Sequence, residues 1–266
     1  MNSIDIDEKL AVFRFMDSKG SQKKYCMDNK WYKINMLGNE GLAEELSSRL
    51  LSACNLPEDI TYVSYKACQI NGKYGCVSDS FLKSDEQYIS LQILYKNIKH
   101  SSLENDIFAS PSVKDRFDFV INFVKEVTNL DISDYFRTIL LLDMIIANPD
   151  RHYGNLGIIK DLSGNYKLAP IFDNGQGLSQ NFGMTDPLME YEEKINTLTA
   201  ATISGSFEKA VLETGGPIFT VDFDKLNNIL LEYKNSIAKE FLEKQLNRYS
   251  KILDQNLINE KDAIEK

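Results

Sequence analysis

Histidine is scarce in this 266-residue chain: only His100 and His152 occur. A structural zinc site would therefore need an unusual ligand set. Cysteine is nearly as sparse. Cys26, Cys54, Cys68 and Cys76 form no C-x-x-C pair and are too few to staple a chain of this length, so they read as small hydrophobes in a reducing compartment. No Lys/Arg-rich run is present, and 30 basic against 39 acidic residues leave a formal charge of −9. That balance argues against a large nucleic-acid footprint or a polybasic membrane patch and leaves proteins or small molecules as the expected partners. No apolar run approaches the roughly 18 residues of a membrane span, and the acidic start MNSIDIDEKL lacks the regions of a signal peptide. The expected location is cytoplasmic, with secretion by a signal-independent route left open. No internal repeat or low-complexity tract is visible.

What the sequence does contain is a change of pattern along its length. From about Leu10 to Leu94 it is strand-rich, with Leu10–Met16, Lys24–Met27 and Trp31–Met36 as short aromatic and β-branched segments between polar turns. One helix interrupts them. From Glu40 to about Ala53, apolar Leu42, Ala43, Leu46, Leu50 and Ala53 recur at helical spacing. From about Ser101 the pattern turns helical, with Phe117, Val120, Phe123 and Val124 on one amphipathic face and a second helix that Ser133 could cap. The second helix is apolar all round over Ile139–Ala147 except at Asp143, which marks it as buried, and Asn148-Pro149 stops it. Asp143 then requires a partner, a backbone N–H or Arg151. Leu156–Lys160 and Tyr166–Ala169 form a hairpin before Ile171-Phe-Asp-Asn-Gly175, and the tail is helical through Leu226, Ile229, Leu230, Tyr233, Ile237, Phe241 and Leu242.

The polar loop Asn148-Pro-Asp-Arg-His-Tyr-Gly-Asn155 follows directly on the buried helix, and the hairpin would return Asp173 beside it. Loop-borne polar groups on rigid supports are a common way to build an active site. Two carboxylates and an amide suit Mg²⁺, which takes few protein oxygens and completes its shell with phosphates and water. Phosphoryl transfer calls for that set: one Asp to accept the hydroxyl proton, an Asn and a second Asp to hold metal. Asp150 and Asn155 stand at the D-x-x-x-x-N spacing of protein kinases. The other half offers a loop at Lys19–Lys24 and then Lys33 on a strand, where a lysine can meet phosphate and a helix glutamate, Glu44 as first choice and Glu40 as second. His152 either contacts phosphate or, as favoured here, hydrogen-bonds the loop. Ser78-Asp-Ser-Phe81 falls where a hinge between lobes would lie, so Asp79 and Phe81 are candidates for adenine, with an ordinary loop as the alternative.

Gly20-Ser-Gln-Lys-Lys, Tyr32-Lys-Ile, Glu40-Gly-Leu-Ala-Glu-Glu with Arg49-Leu-Leu, Asn148-Pro-Asp-Arg-His-Tyr-Gly-Asn and Ile171-Phe-Asp-Asn-Gly together resemble the HipA-type Ser/Thr kinase family over roughly residues 14–180. The chain is most similar to short members without the extra N-terminal subdomain. The resemblance implies an α+β, bilobal protein-kinase-like fold, a strand-rich lobe at 1–95 and a mainly helical lobe at 96–266. It implies ATP and Mg²⁺ as cofactors, with Asp150 as catalytic base, Asn155 and Asp173 as metal ligands, Lys33 on the nucleotide, and Gly20, Ser21 and Gln22 in the phosphate loop. It also implies a protein Ser/Thr substrate, with a translation component and an antitoxin-like partner as family-level expectations. Autophosphorylation at Ser18 or Ser21 is a further one. The Asp-Arg-His-x-x-Asn pattern resembles phosphatidylinositol 3- and 4-kinases as well, so a lipid kinase is the alternative enzyme and a pseudokinase scaffold the alternative without catalysis. One departure stands out: the phosphate loop has a single glycine, Gly20, where eukaryotic kinases have three.

Overall fold

The computed structural model describes residues 3–12, 22–36, 38–178, 193, 195 and 197–253. Its first half is built on a six-stranded sheet. The strands are β1 (Ser3–Ile4), β2 (Ala11–Val12), β3 (Lys24–Met27), β4 (Lys30–Ile34), β5 (Tyr65–Ile70) and β6 (Lys73–Asp79), in the order β1-β5-β6-β4-β3-β2. All pairings are antiparallel except β1 on β5. The two tight hairpins have a local cause. Asp28-Asn29 and Asn71-Gly72 place two successive residues at positive φ, the backbone that matches strand twist and that Asn, Asp and Gly adopt most readily. Asn71 does more, since its amide both accepts from and donates to the backbone of Ile6, at 2.7 and 2.9 Å, and so straps the N-terminal segment to the sheet.

Alternation sorts the two faces of this sheet. Tyr25, Tyr32, Ile34, Cys68 and Ile70 pack with Ile6 into a small core on one side. The opposite face carries Lys24, Trp31 and Lys33, because successive strand side chains point to opposite sides. Helix α1 (Glu40–Ser52) lies against this sheet. Two glycines permit the approach: a Cβ on Gly41 would lie 2.4 Å from the Gly75 carbonyl oxygen, and one on Gly75 would lie 2.1 Å from that of Lys33. Three backbones thus meet directly behind Lys33, and Glu44, one turn beyond Gly41 on the same helix face, is brought toward it.

The second half is helical around a short sheet of β7 (Glu86–Ser90), β8 (Gly157–Asp161) and β9 (Tyr166–Leu168), in that order. Its helices are α2 (Leu91–Lys99), α3 (Leu103–Phe108), α4 (Val113–Thr128), α5 (Ser133–Ile146), α6 (Phe207–Glu213), α7 (Phe223–Leu230) and α8 (Ile237–Leu253). The main core runs from α1 through all of these, and every residue of α5 from Thr138 to Ile146 is buried in it. The chain thus has the α+β architecture expected, with the all-round apolar helix inside and the 156–169 hairpin in place. Among the described residues, no helix is long and apolar enough to cross a membrane.

Several local expectations are corrected. The strand at Leu10–Met16 reduces, within the described residues, to Ala11–Val12 after a 3₁₀ turn at Glu8–Leu10, and the third segment ends at Ile34. Ser133 is the first helical residue rather than the cap; its N–H donates to the Asp131 carboxylate at 3.0 Å. Helical structure begins at Leu91, ten residues before the expected change, where the Ser90 hydroxyl accepts from the Ile93 N–H. The tail is two helices, and Ile237 at the start of the second is exposed. Cys68 and Cys76 are buried as expected and Cys26 and Cys54 half-buried, all four as free thiols.

Gly41→Ala should push α1 off the sheet, because the obstacle is backbone and cannot rotate away. The expected loss is about 1–3 kcal/mol, the usual range for overpacking. A denaturant midpoint unchanged from wild type would show that the contact is not tight.

Candidate active site

The β3–β4–β6 register roofs a cavity. Lys24 pairs with Lys33 across β3 and β4, and Cys76 and Ser78 oppose Lys33 and Trp31 across β4 and β6. Lys24, Trp31 and Lys33 face Gly154, Asn155, Phe172 and Asp173 below, with Val63, Tyr65, Asp79, Phe81 and Tyr88 completing the walls. Phe81, Tyr88 and Phe172 form an aromatic cluster with ring centroids 5.4–6.0 Å apart. Such a box, apolar at one end and charged at the other, suits a ligand with a flat apolar part and an anionic tail.

At the charged end Lys33 is buried between two carboxylates. Its Nζ lies 2.7 Å from Glu44 Oε1 and 2.9 Å from Asp173 Oδ1, and 3.4 Å from the Tyr65 hydroxyl. Burial opposes the charge, but Asp173 and Glu44 more than restore it, so its pKa lies well above the ordinary lysine value. The two carboxylates diverge. Burial raises Glu44, with Asp173 adding to the effect against the pull of Lys33. Burial would raise Asp173 too, but Lys33, then Lys24, and finally Arg151 hold it far below the usual carboxylate range. Glu44 Oε2 also accepts from the Asn174 N–H at 2.8 Å, which ties α1 to the Asp173 segment. Glu40, the second choice for a lysine partner, instead accepts from the N–H groups of Met36 and Gly38 and steadies the entry to α1.

A second buried charge organises the loop below. The Arg151 guanidinium reaches Asp143 from Nε at 3.1 Å and from Nη2 at 3.0 Å, and its Nη1 donates to the carbonyl oxygens of Phe172 and Asp173 at 2.7 and 3.3 Å. Nη2 also donates to Asn174 Oδ1. The partner of Asp143 is therefore Arg151, with Asn148 Nδ2 adding a bond at 3.3 Å. Asn148 Oδ1 in turn accepts from the Asp150 N–H at 3.1 Å. Asp173 follows at φ 63°, a left-handed conformation uncommon outside glycine, Asn and Asp that the surrounding bonds maintain.

Asp150 stands at the outer end of this loop, exposed, and its carboxylate has no hydrogen-bond partner among the described residues. Although water reaches the side chain, the protein around its carboxyl partly desolvates it and raises its pKa, against the pull of His152, with Asp173 adding to the rise and Arg151 opposing it. His152 Nδ1 accepts from the Gly154 N–H at 3.1 Å, so the ring braces the loop. Tyr88 donates its hydroxyl proton to the Gly154 carbonyl at 2.8 Å from the other side. Asn155 donates its backbone N–H to the His152 carbonyl at 2.9 Å, while its Oδ1 is buried without a partner among the described residues. A buried lone carbonyl oxygen beside Asp173 fits a hard cation, which would supply the missing interaction.

Of the residues singled out in sequence, Lys33, Asp79, Phe81, Asn155 and Asp173 line one cavity, with Glu44 paired to Lys33 behind it. Asp150 and His152 lie on the same loop, outside the lining. The Asp79 side chain points outward to Lys30, 3.2 Å away, so only its backbone remains for a ligand. Gln22 does not line the cavity, and Gly20, Ser21 and the candidate Ser18 lie outside the described residues. Sequence reasoning singled out neither Trp31 nor Tyr65, and it included Lys24 and Asn174 only as members of the Lys19–Lys24 loop and the Ile171–Gly175 motif, with no role of their own. Period-two alternation from Lys33 would have found Trp31, and pairing across the Asp28-Asn29 turn would have found Lys24.

No protein-family model matches the sequence, and no curated protein matches it significantly. Among solved structures, the crystal structure of the Helicobacter pylori proinflammatory kinase CtkA aligns with a TM-score of 0.62 at 18% identity, over 98% of this chain and 99% of that one. HipA of Shewanella oneidensis, solved with HipB and operator DNA, aligns at a TM-score of 0.45 and 10% identity, over 90% of this chain and 64% of that one. The first likeness shows the fold: the chain is folded like that kinase from end to end.

Asp143→Ala would leave the Arg151 guanidinium buried without its carboxylate. Breaking such a pair from one side costs about 3–5 kcal/mol. Equilibrium unfolding measures this directly, and a loss under 1 kcal/mol would mean that water reaches the arginine.

Proposed function

We propose that the protein is an ATP- and Mg²⁺-dependent kinase that phosphorylates serine or threonine hydroxyls of a protein substrate. The observation that carries this reading is the convergence of Lys33, Glu44 and Asp173 opposite the unpartnered Asn155 Oδ1, at the charged end of an aromatic-walled cavity. Asn155 and Asp173 would supply two protein oxygens to a metal whose shell phosphate oxygens and water complete.

The base of the nucleotide would lie between Trp31 above and the Phe172–Tyr88 cluster below, near Phe81. Its phosphates would extend toward Lys33 and Lys24. Lys33 would exchange Asp173 for phosphate oxygens while keeping Glu44, and Asp173 would then turn its carboxylate to metal together with Asn155. Bound Mg²⁺ would neutralise charge on the phosphates. Asp150 is exposed to an incoming hydroxyl and would accept its proton as the new O–P bond forms and the bond to the departing diphosphate breaks. His152 and Tyr88 hold the loop so that the base does not drift.

Trp31 is the chain's single tryptophan and lines the cavity, so intrinsic fluorescence should report nucleotide directly. ATP with Mg²⁺ should quench or shift it saturably, with micromolar to millimolar affinity, and a flat titration would sink the nucleotide reading. Asp150→Asn should keep that response and lower phosphoryl transfer by at least the roughly 100-fold expected of a lost general base. Retained transfer would reassign the base. Because burial raises the Asp150 pKa and the base must be ionised, the rate should fall as pH drops through a value above the ordinary aspartate pKa. A rate profile flat to the acid limit of folding would contradict it.

A further inference from the structure

The helix that carries Glu44 is held from behind by the chain's C-terminal segment. At the far end of α1, the stretch after the helix pairs with residues 220–222: Cys54 bridges to Val221, the Asn55 side chain accepts from the Thr220 N–H and hydroxyl at 2.6 and 2.8 Å, and the Asp222 N–H donates to the Ala53 carbonyl at 2.8 Å. At the middle of the helix, Tyr233 donates its hydroxyl proton to Glu45 Oε1 at 2.9 Å. The second oxygen of Glu45 accepts from the Ala67 N–H at 2.8 Å, on the strand β5 that β1 meets at Gln69 and Ile70. Glu45 therefore joins three elements: α1, β5 and the segment between α7 and α8.

Glu45 is the residue next to Glu44, about 100° further round the helix. Rotating α1 so as to swing Glu44 away from Lys33 would carry Glu45 off both of its partners. The tethers at 45 and at 53–55 hold the middle of the helix and its C-terminal end, about two turns apart, so together they oppose tilting as well as rotation. The sequence pattern offers no reason for a carboxylate and a tyrosine hydroxyl to meet across 188 positions. Packing alone does not require it, since phenylalanine would fill the same space.

We infer that Tyr233 is a positioning residue, acting through Glu45 to fix the rotation of α1 and hence the Glu44–Lys33 pair on which phosphoryl transfer depends. The catalytic part of this inference rests on the kinase reading above; the mechanical part does not.

Tyr233→Phe removes one hydroxyl and no volume. Amide hydrogen exchange in residues 40–48 should quicken relative to residues 49–52, whether or not the protein is a kinase, and unchanged exchange there would overturn the proposal. In the kinase assay, kcat should fall about three- to ten-fold, the range of one hydrogen bond expressed as a rate. The Trp31 response to ATP and Mg²⁺ should keep its midpoint within about two-fold, because the lesion misplaces a helix rather than emptying the cavity. In a Glu44→Gln background, where the pair is already weakened, Tyr233→Phe should have little further effect on kcat. An equal fall in both backgrounds would assign Tyr233 to general stability and overturn the positioning role. If wild type itself neither responds to nucleotide nor transfers phosphate, the kinase reading fails and the hydrogen-exchange arm still decides whether Tyr233 holds α1.

Discussion

The Arg151 guanidinium, almost wholly removed from solvent, has all three of its nitrogens engaged. An arginine cannot shed its charge to enter a protein interior, so its burial is tolerable only with a carboxylate at hand and the remaining donors satisfied. Asp143 supplies the carboxylate from the last turns of α5, where Ile139–Ala147 is otherwise apolar on every side. The carbonyls of Phe172 and Asp173 and the side chain of Asn174 take the rest. One group thereby fixes the loop that presents Asp150 and Asn155 to the segment that presents Asp173. Because those two segments lie some 20 residues apart in sequence and belong to different elements, no shorter-range bond could hold their spacing.

Above that arrangement the charges come close to balance. Lys33 and Arg151 face Glu44, Asp173 and Asp143, one carboxylate in excess, and Lys24 on the neighbouring strand brings the sum to zero. A neutral sum inside the protein is what makes such a cluster affordable, and the diverging pKa values of Glu44 and Asp173 show how it is arranged internally. Asp173 sits where the cations are densest, and Glu44 shares one of them from a drier position. Introducing phosphates, with four or so negative charges, would upset this balance unless cations came with them. The unpartnered oxygen of Asn155 beside the strongly acidic Asp173 is suited to receive one.

How much of this could be read from the sequence followed from distance along the chain. The buried helix, its stop at Asn148-Pro149, the return hairpin and the D-x-x-x-x-N loop are local patterns, and the structure contains each where it was expected. That Asp143 needs a partner was legible because a lone carboxylate in an apolar stretch demands one, but the sequence left a backbone N–H and Arg151 as equal candidates, and the structure supplies Arg151. The choice of Glu44 over Glu40 was legible only as an order of preference, because acids four apart share a helix face and which of them meets Lys33 depends on the packing of α1. That packing rests on Gly41 and Gly75, two glycines in elements that are consecutive neither in sequence nor in the sheet. The pairing of Lys24 with Lys33 depends on strand register, which the Asp28-Asn29 turn sets and which alternation alone does not reveal. Ser133 misled because a serine before an apolar run is a usual cap, whereas here Asp131, two residues earlier, accepts the N–H of Ser133 itself, which is already helical.

The two halves of the site are held with unequal firmness, and the difference is physical. Below the cavity, Arg151 and Asp143 are bonded in the dry interior, where an ion pair is little screened and its loss is severe. Above it, α1 reaches the C-terminal segment through an Arg49–Glu232 pair whose side chains are 35% and 64% exposed, a contact that water and salt reduce to very little. The half-buried Tyr233–Glu45 bond is the stronger of the two near Glu44. A helix seated on glycines against a sheet, pinned firmly at one end and lightly near Glu44, is the part of this site that a small change in free energy can move. The loop carrying Asp150 and Asn155 is the part that it cannot.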